Sequence, residues 1–473
     1  MKNQLEEKLI VVRPNERQLR QEEMEFYGFI HFTMNTFTGK EWGDGTDSPQ
    51  KFCPEDVDTD QWAELAAKAE MKGLILTCKH HDGFCLWPSA YTDYSVKRSP
   101  YLDGKADIVK QFAESCRKHQ LKVGIYLSPW DRNHPTYGYG KEYDDYFINQ
   151  LTELLSNYGE IFTVWFDGAC GEGTNGKKQK YDWERYYQVI RSLQPNATIS
   201  ICGPDIRWCG NEAGKTRESE WSVVPARIAD NEKIAHDSQQ EDNSEFRMRE
   251  IKSGEEDLGS RELLQNERDL IWYPSEVDVS IRPGWFYHAE EDDKVRSFEN
   301  LKELYLKSVG GNALLLLNIP PNPEGRIAET DAKRLEELGH FIRNSFSHNL
   351  AETAKFTGTQ ASEKRGMDCL LKDDYTNWYE PVLSHKEEVV ISMQWDTPQP
   401  IKYVVIKEQI PSSQRVEKYT VLLQGEQGIE EYTGTTIGRK KIIPVKTGNN
   451  IQKVTIQIKE YRVCPQISFI GIY

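Results

Sequence analysis

The chain has 473 residues, with 59 Lys and Arg against 75 Asp and Glu, a formal net charge of −16, and 38% hydrophobic and 28% charged residues. That length is too great for one ordinary core and implies two or three domains. The acidic balance argues against nucleic acid or an anionic membrane as partner, because phosphates are held by cationic surface. Apolar runs fall far short of the roughly 20 residues needed to cross a bilayer, and the opening MKNQLEEKLIVV has no basic segment leading into a long apolar one. A cytoplasmic location is therefore the expectation, and a removed signal would change it to periplasmic or secreted. Nine cysteines without a CxxC pair fit free thiols in a reducing compartment better than a disulfide framework. The 12 Trp and 23 Tyr suit either core packing or stacking on the apolar faces of sugars.

From about 25 to 345, strand-like apolar runs alternate with segments of helical period. The strand candidates are 27–32, 73–79, 122–127, 161–166, 198–202, 220–224, 276–281 and 313–318. Between them lie helical patterns such as TDQWAELAAKAEMK, ADIVKQFAESCRKHQ, YDDYFINQLTELLSNY and DWERYYQVIRSL, with Thr59 and Asp182 read as N-caps. Eight strands with intervening helices predict an α/β fold, a (β/α)₈-like TIM barrel over 1–348. A polar stretch from about 225 to 270 reads as a long loop with a short helix. After 348 the pattern becomes alternating strands (EEVVISMQW, IKYVVIKEQI, EKYTVLLQG, QKVTIQIKE, QISFIGIY), which predicts an all-β antiparallel sandwich over 349–473.

Barrel chemistry sits at the C-terminal ends of the strands. The candidates there are His31 with Glu41 and Trp42, the Lys79-His80-His81-Asp82 run, Tyr126 with Trp130 and Asp131, Asp167 in VWFDGA, Glu212 in RWCGNEAG, and Arg282, Trp285 and His288 in RPGWFYH. Asp167 closes an apolar run with a carboxylate where packing alone would favour a turn residue. The alternative for it is a helix cap. His80 and His81 are adjacent, so on a strand they would face opposite ways, and without an HxH or HxxxH spacing no metal site is expected. Glycoside hydrolysis needs two carboxyl groups, one ionised and one protonated. Asp167 on a rigid strand end and Glu212 in a glycine-flanked loop suit those roles, with Glu220 a second candidate for the acid.

In this order, YGFIHFTMNTF, the EW pair, TCKHHDGFCLW, VGIYLSPWD, VWFDGA and RPGWFYH resemble glycoside hydrolase family 29, the α-L-fucosidases, over 20–345. The resemblance implies a retaining mechanism through a covalent fucosyl-enzyme, no cofactor and no metal, and a C-terminal β-sandwich. It implies Asp167 as nucleophile and His31, Glu41, Trp42, His80, His81, Tyr126, Trp130 and Trp285 as substrate-binding residues, with Trp285 over the C6 methyl. GPDIRWCGNEAG resembles the subfamily (subfamily B) acting on α1,3/1,4-fucosylated, Lewis-type glycans, which implies Glu212 as acid/base. The expected partners are fucosylated oligosaccharides or glycoconjugates. The segment from Ala354 to Pro381 resembles the opening of discoidin (F5/8 type C) sandwiches, read here as a structural buttress rather than a sugar-binding module. A broad-specificity fucosidase, a transfucosidase and a non-catalytic fucose-binding protein remain as alternatives.

Overall fold

The structure, a computed structural model, describes residues 2–238, 256–446 and 450–473. Five strands follow one another with helices between: β1 (Phe26–Ile30), β2 (Gly73–Lys79), β3 (Lys122–Leu127), β4 (Thr163–Phe166) and β5 (Thr198–Ile201). They continue with β6 (Arg207–Trp208), an outlying pair β7 (Val223–Pro225) and β8 (Leu270–Trp272), then β9 (Ser275–Ser280) and β10 (Ala313–Asn318). Eight of these form one parallel sheet in the order β5-β4-β3-β2-β1-β10-β9-β6. A Ser200–Ile206 bridge and the Ile201 N–H to Ile206 O bond of 2.9 Å nearly close it into a barrel. β2 and β10 are buried at every position, as strands covered on both faces must be, which explains the apolar runs GLIL and ALLLL within them.

The sixth barrel strand is a correction to the expectation from sequence. The place is taken by Arg207–Trp208, paired with Ser275 and Glu276 of β9, and not by 220–224. Only Cys202–Ile206 separates β5 from β6, so no helix intervenes. The chain turns there with Ile201 at φ 68°, a left-handed conformation costly for a β-branched residue. Val223–Pro225 instead pairs antiparallel with β8 outside the barrel. Upstream of it Glu220 is fully buried, 2.6 Å from Arg207 and 3.2 Å from Arg217. The polar stretch after it contains the helix Asn231–Ser238 and a short turn at Arg261–Leu264, while 239–255 lie outside the described residues.

The helices follow their apolar period. Ile108–Lys118 buries Ile108, Val109, Phe112, Ala113 and Cys116 on one face, and Asp107 caps it by accepting from Lys110 N–H. Asp182 caps Trp183–Leu193 as expected. The cap of Thr59–Lys68 is Asp58 rather than Thr59; Thr59 is the first helical residue, and its hydroxyl is 2.7 Å from that of Ser115 on the next helix.

Beyond the helix Glu329–Ser345, β11–β18 form two antiparallel sheets. One has five strands: β11 (Lys355–Gly358), β12 (Val389–Pro400), β17 (Asn450–Tyr461), β14 (Val416–Gly425) and β15 (Gly428–Gly434). The other has three: β16 (Lys441–Pro444), β13 (Tyr403–Glu408) and β18 (Ile467–Ile472). The three-stranded sheet has two apolar faces. Val404, Ile406, Ile443, Ile470 and Ile472 pack into the sandwich core, while Tyr403, Val405, Ile442 and Phe469 join the barrel's core. Strand alternation puts neighbouring residues on opposite faces, so YVVI reads as a continuous apolar run. Among the described residues no helix is long and apolar enough to cross a membrane, and all nine cysteines are free.

Candidate active site

The C-terminal ends of the barrel strands surround a cleft enclosing about 710 Å³. His31, Glu41, Trp42, His80, His81, Asp167, Glu212 and Trp285 all line it. Tyr126 and Trp130 stand one layer behind. The Tyr126 hydroxyl donates to Asp167 Oδ2 at 3.0 Å, and Trp130 packs against His81 and Trp42 with ring centroids 5.0 and 5.5 Å away. Glu220, the second candidate for an acid, is walled off by its two arginines, and their charges, outweighing its burial, hold it below the usual range. It is not among the residues that line the cleft.

Asp167 follows the last residue of β4. Burial pushes its carboxyl up to about 6, opposed by the Ala169 N–H, Tyr126 O–H and Gly168 N–H bonds that favour the ionised form. Ala169 N–H donates to Oδ1 at 2.8 Å, so Oδ2 is the oxygen that Tyr126 orients. Gly168 has no side chain for a reason. A Cβ there would sit 2.4 Å from Ser238 Oγ, so only glycine lets the helix Asn231–Ser238 close beside the carboxylate.

The histidines are held neutral and their hydrogens are directed. Asn318 uses its amide N–H groups on Ser280 Oγ and Trp285 O, at 2.9 and 2.8 Å. Its Oδ1 therefore accepts from His31 Nδ1 at 2.8 Å, which leaves His31 Nε2 as an acceptor. Burial drives His31 down to about 4. Asn35 donates from Nδ2 to Glu41 O, 2.8 Å away, and lies 3.2 Å from His80 Nδ1, which makes His80 Nε2 the donor. Burial, with His81 and His31 beside it, holds His80 far below its usual value. The Ser128 hydroxyl donates to Trp130 O and accepts from His81 Nδ1, both at 2.7 Å. His81, lowered by burial to about 3, thus turns a lone pair toward Asp167 Oδ2 at 3.6 Å. Two acceptors facing one gap suit a ligand that supplies hydroxyl hydrogens.

His80 and His81 do not point to opposite faces. They lie just past Lys79, where β2 ends, with ring centroids 4.1 Å apart. With Asp167 they bring donor atoms within 4.8 Å of one another. Lys79 itself turns away and is buried against Asp131 and Gln150 at 2.9 and 3.0 Å.

Across the cleft, Glu41 accepts from the backbone N–H of Trp285 at 2.8 Å and from His288 Nε2 at 2.8 Å. That partner raises His288. Arg282 is spent on structure, paired with Asp331 and Asp292 at 2.8 and 2.7 Å. Glu212 follows β6, and the Trp285 indole donates to its Oε2 at 3.1 Å. Sequence reasoning missed several residues of the lining, among them Trp165, Trp208, Ser238 and Asp278. Trp165 was accessible by alternation, since it stands two residues before Asp167 on an apolar strand, and Asp278 shares its face of β9 with Glu276 and Ser280. Trp208 lay in a segment read as loop.

The α-L-fucosidase family model matches residues 12–345. The chain belongs to this family. Alpha-L-fucosidase 1 of Arabidopsis thaliana is 36% identical to this fucosidase, over 98% of this chain and 88% of that one. The crystal structure of a glycoside hydrolase 29 family member from a rumen bacterium is 37% identical, with a TM-score of 0.79 over 98% of this chain and 77% of that one. A Ruminococcus gnavus GH29 fucosidase in complex with fucose is 28% identical, with a TM-score of 0.84 over 98% and 95%. The fucosidase is thus a glycoside hydrolase on a TIM-like barrel.

Proposed function

We propose that this α-L-fucosidase is a retaining, exo-acting enzyme that releases terminal L-fucose from α1,3/1,4-fucosylated, Lewis-type glycans. The observation that carries the reading is the cleft itself. Asp167, on a strand end and oriented by Tyr126, shares an aromatic-walled space with Glu212, tethered to Trp285. Asp167 attacks the anomeric carbon while Glu212 gives its proton to the departing oxygen. The carbon–oxygen bond to the aglycone breaks as the bond to Asp167 forms. Glu212 then takes a proton from water, which cleaves the fucosyl ester and restores both carboxyls.

The neutral histidines fit a neutral polyol. His31 and His81 accept from hydroxyls and His80 donates to one. Glu41, fixed by His288 and the Trp285 backbone, accepts another beside Trp42, and the Trp285 ring offers an apolar wall for the C6 methyl. The linkage preference rests on the GNEAG loop that carries Glu212. We read the C-terminal sandwich as a discoidin-type domain that buttresses the barrel and the chain as dividing near 348. No cofactor is assigned a role. The test is free L-fucose from a Lewis-type α1,3/1,4-fucosylated trisaccharide, an α1,2-fucosyllactose and an aryl fucoside. Release mainly from the Lewis sugar supports the reading. Equal release from the other two overturns the linkage preference, and no release from any overturns the activity.

A further inference from the structure

Glu212 stands between Gly210 and Gly214, both with left-handed backbone, so its carboxyl keeps its place only if the loop around it is held. Buried Asn211 braces the loop from within. Its Oδ1 accepts from the Ala213 and Lys215 N–H groups at 3.1 and 3.0 Å, and its Nδ2 donates to Lys215 O at 2.7 Å. Glu220 holds the two ends of the loop. Its carboxylate accepts from Arg207 Nη2, before the loop, at 2.6 Å and from the Arg217 backbone N–H, after it, at 3.2 Å. Arg217 Nη1 closes the ring by donating to Cys209 O at 2.9 Å. Glu220 is in turn held from the sandwich. Asn312, in the turn before β10, is 6% exposed. Its Nδ2 donates to Glu220 O and its Oδ1 accepts from the Arg439 backbone N–H, both at 2.7 Å. One amide therefore spans from the chain before β16 to the residue that grips the loop of Glu212. The fit is close: Asn312 has φ 66°, which asparagine tolerates better than most residues, and a Cβ on Gly438 would lie 2.2 Å from its Oδ1. Two further ties run beside it. Gln414 Oε1 accepts from the Ser222 N–H at 2.9 Å, and the hydroxyls of Ser219 and Thr435 meet.

We propose that Asn312 is a positioning residue for Glu212: through Glu220 it fastens the loop of Glu212 to the sandwich, which makes the sandwich part of the proton-transfer apparatus as well as a prop for the barrel. The inference rests on the proposed role of Glu212 as acid/base. The Trp285 indole steadies the carboxyl at its tip, and the relay through Asn312 and Glu220 steadies the backbone beneath it. Proton transfer needs the carboxyl within hydrogen-bond reach of the leaving oxygen, about 3 Å. A misplacement of about 1 Å can cost about a hundredfold in rate. Asp167 is fixed separately, by Tyr126 and the Ala169 N–H. Loosening the relay therefore harms the acid and spares the nucleophile.

The experiment is kcat/KM of the wild type, Asn312→Gly and Glu212→Gln on a Lewis-type trisaccharide and on 2,4-dinitrophenyl α-L-fucoside. Glycine adopts the same left-handed backbone and removes only the bridging amide. The sugar aglycone must be protonated as it leaves, whereas dinitrophenolate leaves without a proton. Asn312→Gly is expected to lower kcat/KM on the trisaccharide about tenfold or more and to keep it within about twofold on the dinitrophenyl fucoside. Glu212→Gln should show the same pattern more strongly. Azide needs no base to attack the anomeric carbon of the fucosyl-enzyme, where its nitrogen displaces the Asp167 carboxylate. It should therefore raise kcat of both variants on the dinitrophenyl fucoside and leave that of the wild type unchanged. A merely structural role would lower both substrates alike and give azide nothing to rescue. Gln414→Ala, which cuts the parallel tie to Ser222, is expected to act in the same direction and serves if thermal unfolding shows that the glycine variant does not fold. Equal loss on both substrates, or loss on neither, overturns the relay while the Glu212→Gln pattern stands. If Glu212→Gln itself lowers both substrates alike, the acid/base assignment fails instead.

Discussion

Asp167 is under opposed demands: burial favours its acid form, and three hydrogen-bond donors favour the carboxylate the reaction needs. With the balance at about 6, kcat/KM is expected to fall as pH drops through that value, because the nucleophile is protonated below it. Tyr126→Phe removes the donor 3.0 Å from Oδ2. The acid limb should then move to higher pH by about half a unit to one unit, and a limb that stays or moves down would contradict the geometry. Asp167→Asn is expected to reduce kcat by a factor of about 10⁴ or more, measured with an aryl fucoside. Asp167 and His80 stood out in the sequence because polar residues ending apolar strands have few structural explanations, whereas Glu212 stands in a glycine-flanked loop and its role came from the resemblance. Tyr126 and Trp130 act one layer back, a distinction that depends on the pleat and on Ser128.

At the scale of elements, the end of β2 is braced from outside the barrel. Lys79 and Asp131 are both buried, 2.9 Å apart, and Asp131 also accepts from the backbone N–H of Asn133 and His134 at 3.0 and 2.9 Å. The pair thus ties the histidine-bearing turn to the loop after β3. Lys79→Met leaves Asp131 buried without its cation and should cost about 3–5 kcal/mol, read from urea unfolding. A loss below about 1 kcal/mol would mark the pair as surface-like. Apolar runs made β1–β5 and β10 readable from sequence, and the alternating valines of β9 made it so. β6 was not, because two residues carry no period and its neighbour Val223–Pro225 has the better strand composition. Its place is decided by the tight turn at Ile201 and by the pairing of Arg207 with buried Glu220, neither of which is a local signal.

At the scale of the whole molecule, barrel and sandwich share one apolar seam and one charged knot. Glu25, just before β1, meets Arg439 and Lys440 at 2.6 and 2.8 Å, with Lys407 at 3.8 Å. Despite burial, these three cations hold its carboxyl well below the usual range. A depressed carboxyl stabilises the fold above its unfolded value, about 4.3, and that contribution is lost as pH falls toward the folded value. Glu25→Ala strands Arg439 and Lys440 at the seam. Lys407 keeps Asp373 at 2.8 Å, so the loss falls on Arg439 and Lys440; the substitution should lower the calorimetric transition by about 3–5 kcal/mol of stability and split it into two, and a single unmoved transition would contradict a shared seam. The switch from helical period to alternation near 348 was plain in the sequence. The second apolar face of β13, β16 and β18 was not, because an alternating pattern cannot tell solvent-free contact with a barrel from a deeper sandwich core.

The central claim is that Asp167 forms a covalent bond to fucose. The most direct measurement is to incubate the enzyme with 2-deoxy-2-fluoro-α-L-fucosyl fluoride, which slows release of the fucosyl-enzyme, and to map the labelled peptide by mass spectrometry. The predicted result is one equivalent of fluorofucosyl mass on the peptide containing Val164–Ala169, located at Asp167. Label on any other carboxylate, or rapid release of the fluorinated sugar's β-anomer with no label at all, would contradict it.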